Sequence, residues 1–115
     1  MPKDYPALYD DDQAQGAALA TAIPRVLASF NRMKESAVKD GALGYKVKEL
    51  ICLGIAICAR CDGCVASHVK RAREAGATRE EIAEAIGVAV FMGAGPAVTY
   101  AGEAWLALRQ FEDAE

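Results

Sequence analysis

The stretch from Tyr45 to Arg60 opens polar with Lys46, Lys48 and Glu49, then turns apolar on nearly every side through Leu50, Ile51, Cys52, Leu53, Ile55, Ile57 and Cys58. A helix with so little polar surface cannot lie on the outside of a protein; it predicts a central helix with neighbours all round. Its apolar run, Leu50 to Ala59, is too short to span a bilayer, so those neighbours must be protein. With 115 residues the chain fits one domain, residues 1–115, able to bury a single core. Hydrophobic residues make up 53% of it, mostly alanine and small aliphatics. So much apolar side chain in a short chain predicts burial against copies of itself, a homo-oligomer.

The neighbours are helical too. Residues 1–12, with two prolines and the run Asp10, Asp11, Asp12, read as an extended N-terminal arm ending in an aspartate cap. Residues 13–22 read as a short alanine-rich helix. Pro24 suits the first turn of a second helix running to about Val38, with Val26, Leu27, Phe30 and Met33 at helical spacing as its buried face. Gly41 and Gly44 turn the chain into the central helix. A fourth helix starts near Asp62 or Gly63 and ends at Gly76, with Lys70, Arg71 and Arg73 toward its C-terminal half, where the macrodipole favours cations. Thr78 and Glu81 have capping-box spacing and open a fifth helix through Ile82, Ile86, Val90 and Phe91. Gly95-Pro96 opens a last one carrying Tyr100, Trp105, Leu106, Leu108 and Phe111. No segment has strand periodicity, so the expected class is all-α, a bundle of about five to six helices.

The formal net charge is −3 and no basic stripe is present, which argues against nucleic acid as a partner. The N-terminus lacks the basic flank and apolar core of a secretory signal. The expectation is a cytoplasmic protein with no membrane partner.

All four cysteines fall between Cys52 and Cys64, a clustering that points away from disulfide staples and toward redox chemistry or metal binding. The informative run is Cys58-Ala-Arg-Cys61-Asp-Gly-Cys64-Val-Ala-Ser-His68. Two thiols separated by two residues at a helix start can close a small disulfide ring, and the helix N-terminus favours the thiolate that must form first. At 100° per residue, His68 lies roughly 40° around the helix from Cys64 and about 20° from the projection of Cys61, so one imidazole can serve both sulfurs. The imidazole is needed: a helix dipole contributes about 0.3–1 kcal/mol, less than the 1.4 kcal/mol of one pKa unit. Cys52 and Cys58, on the apolar helix, read as small hydrophobes. Cys58, Cys61 and Cys64 with His68 could alternatively ligate zinc or an iron–sulfur cluster. A regular helix through Cys58 does not wrap as cluster-binding loops do, so no metal and no cofactor is expected. Glu49, taken alone, reads as an ordinary first-turn glutamate facing solvent.

Together these motifs resemble the carboxymuconolactone decarboxylase and alkylhydroperoxidase D-like family. The resemblance rests on Lys39-Asp40-Gly41-Ala42-Leu43, Lys48-Glu49-Leu50-Ile51, Cys61-x-x-Cys64-x-x-x-His68, Ala75-Gly76-Ala77-Thr78 with Glu80 and Glu81, and Met92-Gly93-Ala94-Gly95-Pro96-Ala97. It covers about residues 24–101. It implies an all-helical fold assembled as trimers or hexamers, and a proton relay of Glu49, Cys61, Cys64 and His68. Some of those enzymes carry a second histidine directly before the second cysteine, where this chain has Gly63. The true lactone decarboxylases generally lack the cysteine pair.

The expected activity is therefore a thiol-dependent, antioxidant peroxidase of the peroxiredoxin type, with catalytic residues Cys61, Cys64, His68 and Glu49. Its substrate would be an organic hydroperoxide, its reductant a dithiol or thioredoxin-like donor. Two other readings stay open: a decarboxylase-like lyase using His68 and Glu49 as acid and base, and a non-catalytic redox sensor whose disulfide alters the oligomer.

Overall fold

In a computed structural model, which describes residues 1–115, the chain forms five helices and no strand: α1 (Tyr5–Ala22), α2 (Pro24–Val38), α3 (Tyr45–Ala59), α4 (Asp62–Glu74) and α5 (Arg79–Asp113). They form one all-α domain in which α3 packs against both α4 and α5. Leu53 and Ile57 of α3 meet Val65 and Val69 of α4 and Ile82 and Leu108 of α5 in the core, all of them at most 1% exposed. Each such side chain contributes about 1.5–3 kcal/mol by leaving water.

The N-terminus departs from the sequence expectation. Instead of an extended arm over residues 1–12, α1 begins at Tyr5, capped by Asp4, whose carboxylate accepts from the Ala7 amide at 3.0 Å. Pro6 falls in the first turn, where a proline has no hydrogen bond to lose, so the proline mistaken for an arm signal starts the helix. Tertiary contacts hold this end down. The Tyr5 ring is fully buried, its hydroxyl donates to Glu103 at 2.7 Å, and its amide donates to the Gln110 side chain at 2.8 Å. Gln110 in turn donates to the Lys3 carbonyl at 2.7 Å.

α2 and α3 match their expected spans, but their burial does not. No residue of α2 is buried within the protomer, and Val26, Phe30 and Met33 are more than half exposed. The amphipathic stripe is real, but α2 leans on α1 and touches α3 only slightly, so its apolar face lines an opening instead of a core. The central helix is likewise covered on one face, that of Glu49, Leu53, Ala56 and Ile57, while Val47, Ile51 and Ile55 on the other are exposed. Those three join Val88 and Met92 of α5 in an open apolar groove.

The loop from α3 to α4 is tight. Arg60 adopts the left-handed conformation (φ 56°, ψ 49°) and reverses the chain, so that Cys61 can cap α4. The Thr78–Glu81 capping box opens α5 with both of its hydrogen bonds formed. The two helices expected on either side of Gly95-Pro96 are both present within α5, meeting at a kink where Ala94 leaves helical geometry (φ 54°, ψ −145°). Gly93 is required beside the bend: a Cβ there would lie 2.5 Å from the Ala97 Cβ and 3.0 Å from the Cys58 sulfur, where α5 crosses α3. By length and composition α5 could cross a membrane, and 22% of its most apolar window is buried within the protomer; its C-terminal half places Ala101, Ala104, Ala107, Leu108 and Phe111 in the core.

Candidate functional site

Three elements meet at the site. α3 supplies Glu49 in its second turn, α4 supplies the cysteine pair and His68, and the α3–α4 reversal brings the two helices side by side. Cys61 is the N-cap of α4 in extended conformation, and its sulfur accepts from the Cys64 amide at 3.3 Å. Cys61 and Cys64 form a disulfide with their Cα atoms 5.2 Å apart. The spacing that the sequence offered for a small redox ring is therefore met at the first turn of a helix.

One turn on, the His68 Nδ1 lies 2.7 Å from the Glu49 Oε2. Glu49 is the one polar residue in the buried set, at 1% exposure. Its local reading as a solvent-facing glutamate is overturned by the packing of α4 across the first half of α3. Where Glu49 is ionised it only accepts hydrogen bonds, so the ring proton then sits on Nδ1 and Nε2 is the free nitrogen. This pairing fixes the orientation of the ring.

Glu49, Cys64 and His68 open onto a cavity of about 1020 Å³ whose wall also includes Phe30 and Met33 of α2, Tyr45 and Cys52 of α3, and Arg71 of α4. A volume of this order accommodates a small organic molecule. All four expected site residues are thus close together, but only Cys64 of the two cysteines lines the cavity. Burial, and after it the charge and hydrogen bond of Glu49, push the Tyr45 hydroxyl above its usual range. Burial is also the main cause that raises the Cys52 thiol, with the Glu49 charge second and Arg71 pulling the other way.

Two cysteines differ from their expected roles as buried hydrophobes. Cys58 is exposed, and its thiol faces the Ala89 carbonyl at 3.6 Å, away from the pair. Cys52 is half-buried and lines the cavity. Its position three residues after Glu49, hence on the same helical face, was the available signal. Asp12 of α1 is another wall residue: a Cβ on Gly63 would lie 2.8 Å from its carboxylate oxygen. At Gly63, an acidic side chain therefore approaches the cysteine pair's helix from α1.

Comparison with known proteins identifies the family and the fold. The carboxymuconolactone decarboxylase family model matches residues 24–107. An uncharacterised protein of Cupriavidus necator is 36% identical over 104 residues, covering 90% of this chain and 92% of that one. The uncharacterised protein 4 of the cox locus of Paracoccus denitrificans is 38% identical over 114 residues, covering 99% and 96%. Among solved structures, the apo form of a carboxymuconolactone decarboxylase family protein from Legionella pneumophila superposes with a TM-score of 0.90 at 37% identity, covering 93% of this chain and 96% of its own. With its helices in that order and its matched region spanning the cysteine pair, His68 and Glu49, the chain belongs to the carboxymuconolactone decarboxylase family.

Proposed function

We propose that the protein is a thiol-dependent peroxidase that reduces organic hydroperoxides through the Cys61–Cys64 pair. The observation that carries this reading is the opening of Cys64, His68 and Glu49 onto one cavity, with the second thiol already within bonding distance. In the reduced protein, His68 Nε2 accepts the thiol proton of Cys64, and Glu49 stabilises the imidazolium that results. General-base assistance of this kind contributes about 10²–10⁴-fold. The thiolate attacks the terminal oxygen of the hydroperoxide; the O–O bond breaks, Cys64 becomes a sulfenic acid, and the alkoxide takes a proton to leave as an alcohol. The Cys61 thiol then displaces water from the sulfenic sulfur to form the disulfide. An external dithiol, lipoyl or thioredoxin-like, restores both thiols by exchange and leaves as its own disulfide.

Cys64 acts first because it faces the cavity, and Cys61, at the helix cap, resolves. This chemistry suits a reducing compartment such as the cytoplasm, where an external donor keeps the pair turning over. The exposed apolar surfaces of α2, α3 and α5 support a homo-oligomer, a trimer or hexamer, as the working form.

The test is turnover of cumene hydroperoxide with a dithiol reductant. Cys64→Ser is expected to abolish it, Cys61→Ser to stop it after a single turnover with a trapped sulfenic acid, and His68→Ala to slow it about 10²–10⁴-fold. Undiminished turnover in both cysteine variants would overturn the assignment. A lyase acting on a carboxylated substrate is the second reading, favoured by the Arg71 guanidinium in the cavity wall beside His68. It predicts lyase turnover retained in the double variant Cys61→Ser, Cys64→Ser.

A further inference from the structure

Cys52 has no part in the relay described above, yet it sits beside it. The ligand atoms of Glu49, Cys52 and His68, one from each residue, all lie within 4.8 Å of one another. Glu49 and Cys52 stand one turn apart on the same face of α3, and His68 reaches them from α4. The three come from the middles of two packed helices, which hold positions more tightly than loops do.

We propose that Glu49, Cys52 and His68 form a binding site for a divalent ion of the zinc class, with the cavity supplying water at the fourth position. One oxygen, one sulfur and one nitrogen ligand are a donor set that zinc accepts, and three protein ligands with an open position is a recurrent zinc arrangement. Bonds of about 2.0–2.3 Å in a tetrahedron put ligand atoms about 3.3–3.7 Å apart, so side-chain adjustments of about 1 Å close the set around an ion. Binding releases the Cys52 thiol proton, while the single His68 ring proton stays on whichever nitrogen the ion does not hold. The positive charge of Arg71 in the same wall opposes a cation, which places the site below structural zinc centres in affinity.

The consequence for turnover rests on the peroxidase reading: an ion held here occupies the carboxylate and the imidazole that activate Cys64, so zinc inhibits. The binding itself does not depend on that reading. It can be measured on the oxidised protein, where Cys61 and Cys64 are tied to each other and Cys52 and Cys58 are the free thiols.

The experiment is a titration of the full-length, oxidised protein with Co²⁺, followed by its thiolate-to-cobalt charge-transfer absorption and then by displacement with Zn²⁺. One saturable equivalent with a single-thiolate band is expected. The band should vanish in Cys52→Ser and persist in Cys58→Ser, and Glu49→Gln should weaken binding by at least about 100-fold, the upper end of what losing an outer-shell partner costs. A parallel measurement needs no variant: zinc should slow iodoacetamide labelling of Cys52 at least about tenfold in the wild type, mapped by mass spectrometry, while leaving Cys58 unchanged. Absence of saturable binding, a thiolate band retained in a folded Cys52→Ser protein, or equal protection of both cysteines would each overturn the site.

Discussion

The Glu49 carboxylate and the His68 ring are joined across the α3–α4 interface by a hydrogen bond of 2.7 Å, with the carboxylate almost wholly shielded from water. Removing the ring takes the His68 donor from a buried acceptor, at a cost of about 1–3 kcal/mol. His68→Ala should therefore lower the urea midpoint as well as the peroxidase rate. His68→Gln, which keeps a donor in reach but no titrating nitrogen, should recover much of the stability and none of the rate. Equal recovery of both would show that the residue acts only as a structural partner.

Asp12 and Gly63 form a second close pair, with the carboxylate occupying the space that any side chain on Gly63 would need. Gly63→Val should destabilise by about 1–3 kcal/mol through overpacking. Asp12→Ala should relieve a large part of that cost, so the two substitutions should be non-additive in a double-mutant cycle. Additive losses by chemical denaturation would show that the contact is not the source.

The start of α5 should respond to acid. The Thr78 amide, and after it the Lys46 ammonium, hold the Glu81 carboxyl below its ordinary value of 4.5. A carboxyl depressed on folding stabilises fully above its unfolded value, and that contribution disappears as pH falls through the lower folded one. Glu81→Gln should therefore differ from wild type near pH 7 and converge with it only once pH has fallen below the depressed folded value. Thr78→Ala, which removes the other half of the capping box, should cost about 1 kcal/mol at neutral pH, read by thermal unfolding.

Gly93→Ala should be among the most damaging single-methyl additions in the chain. The new Cβ would meet the Ala97 Cβ at a distance that real contacts do not reach and the Cys58 sulfur at a tight 3.0 Å. Relief requires the bend at Ala94 to open between Gly93 and Ala97 as well as α5 to move from Cys58, at about 1–3 kcal/mol or more. Adding Cys58→Ala should return part of the loss, and a drop in melting temperature that Cys58→Ala leaves untouched would place the strain against Ala97 alone.

Much of this architecture is legible in the sequence because its strongest signals are local. The Pro24 start, the Gly41 and Gly44 turn and the Thr78–Glu81 box bound helices by backbone hydrogen bonding, which neighbouring residues decide. Burial is a tertiary property, and there the sequence misleads. Glu49 looks solvent-facing because nothing within one turn reveals that α4 will cover it. Val26, Phe30 and Met33 look like core because their spacing is that of a buried face, although α2 meets little of the protomer. Pro6 reads as a sign of extended chain until the Tyr5 contacts with Glu103 and Gln110 are known. Spacing reveals the cysteine pair and His68, family resemblance reveals Glu49, and an apolar neighbourhood hides Cys52, a thiol that faces the cavity.

The sulfur of Cys61 serves at once as the cap of α4 and as half of the bond to Cys64. When that bond opens, the same backbone amide finds a thiol or a thiolate in front of it, and a charged acceptor draws an amide closer than a neutral one. The Cys64 N–H is thus a reporter installed in the main chain. Its nitrogen-15 chemical shift and its hydrogen-exchange rate should track the electron count of the pair in real time, with no dye, label or substitution near the sulfurs.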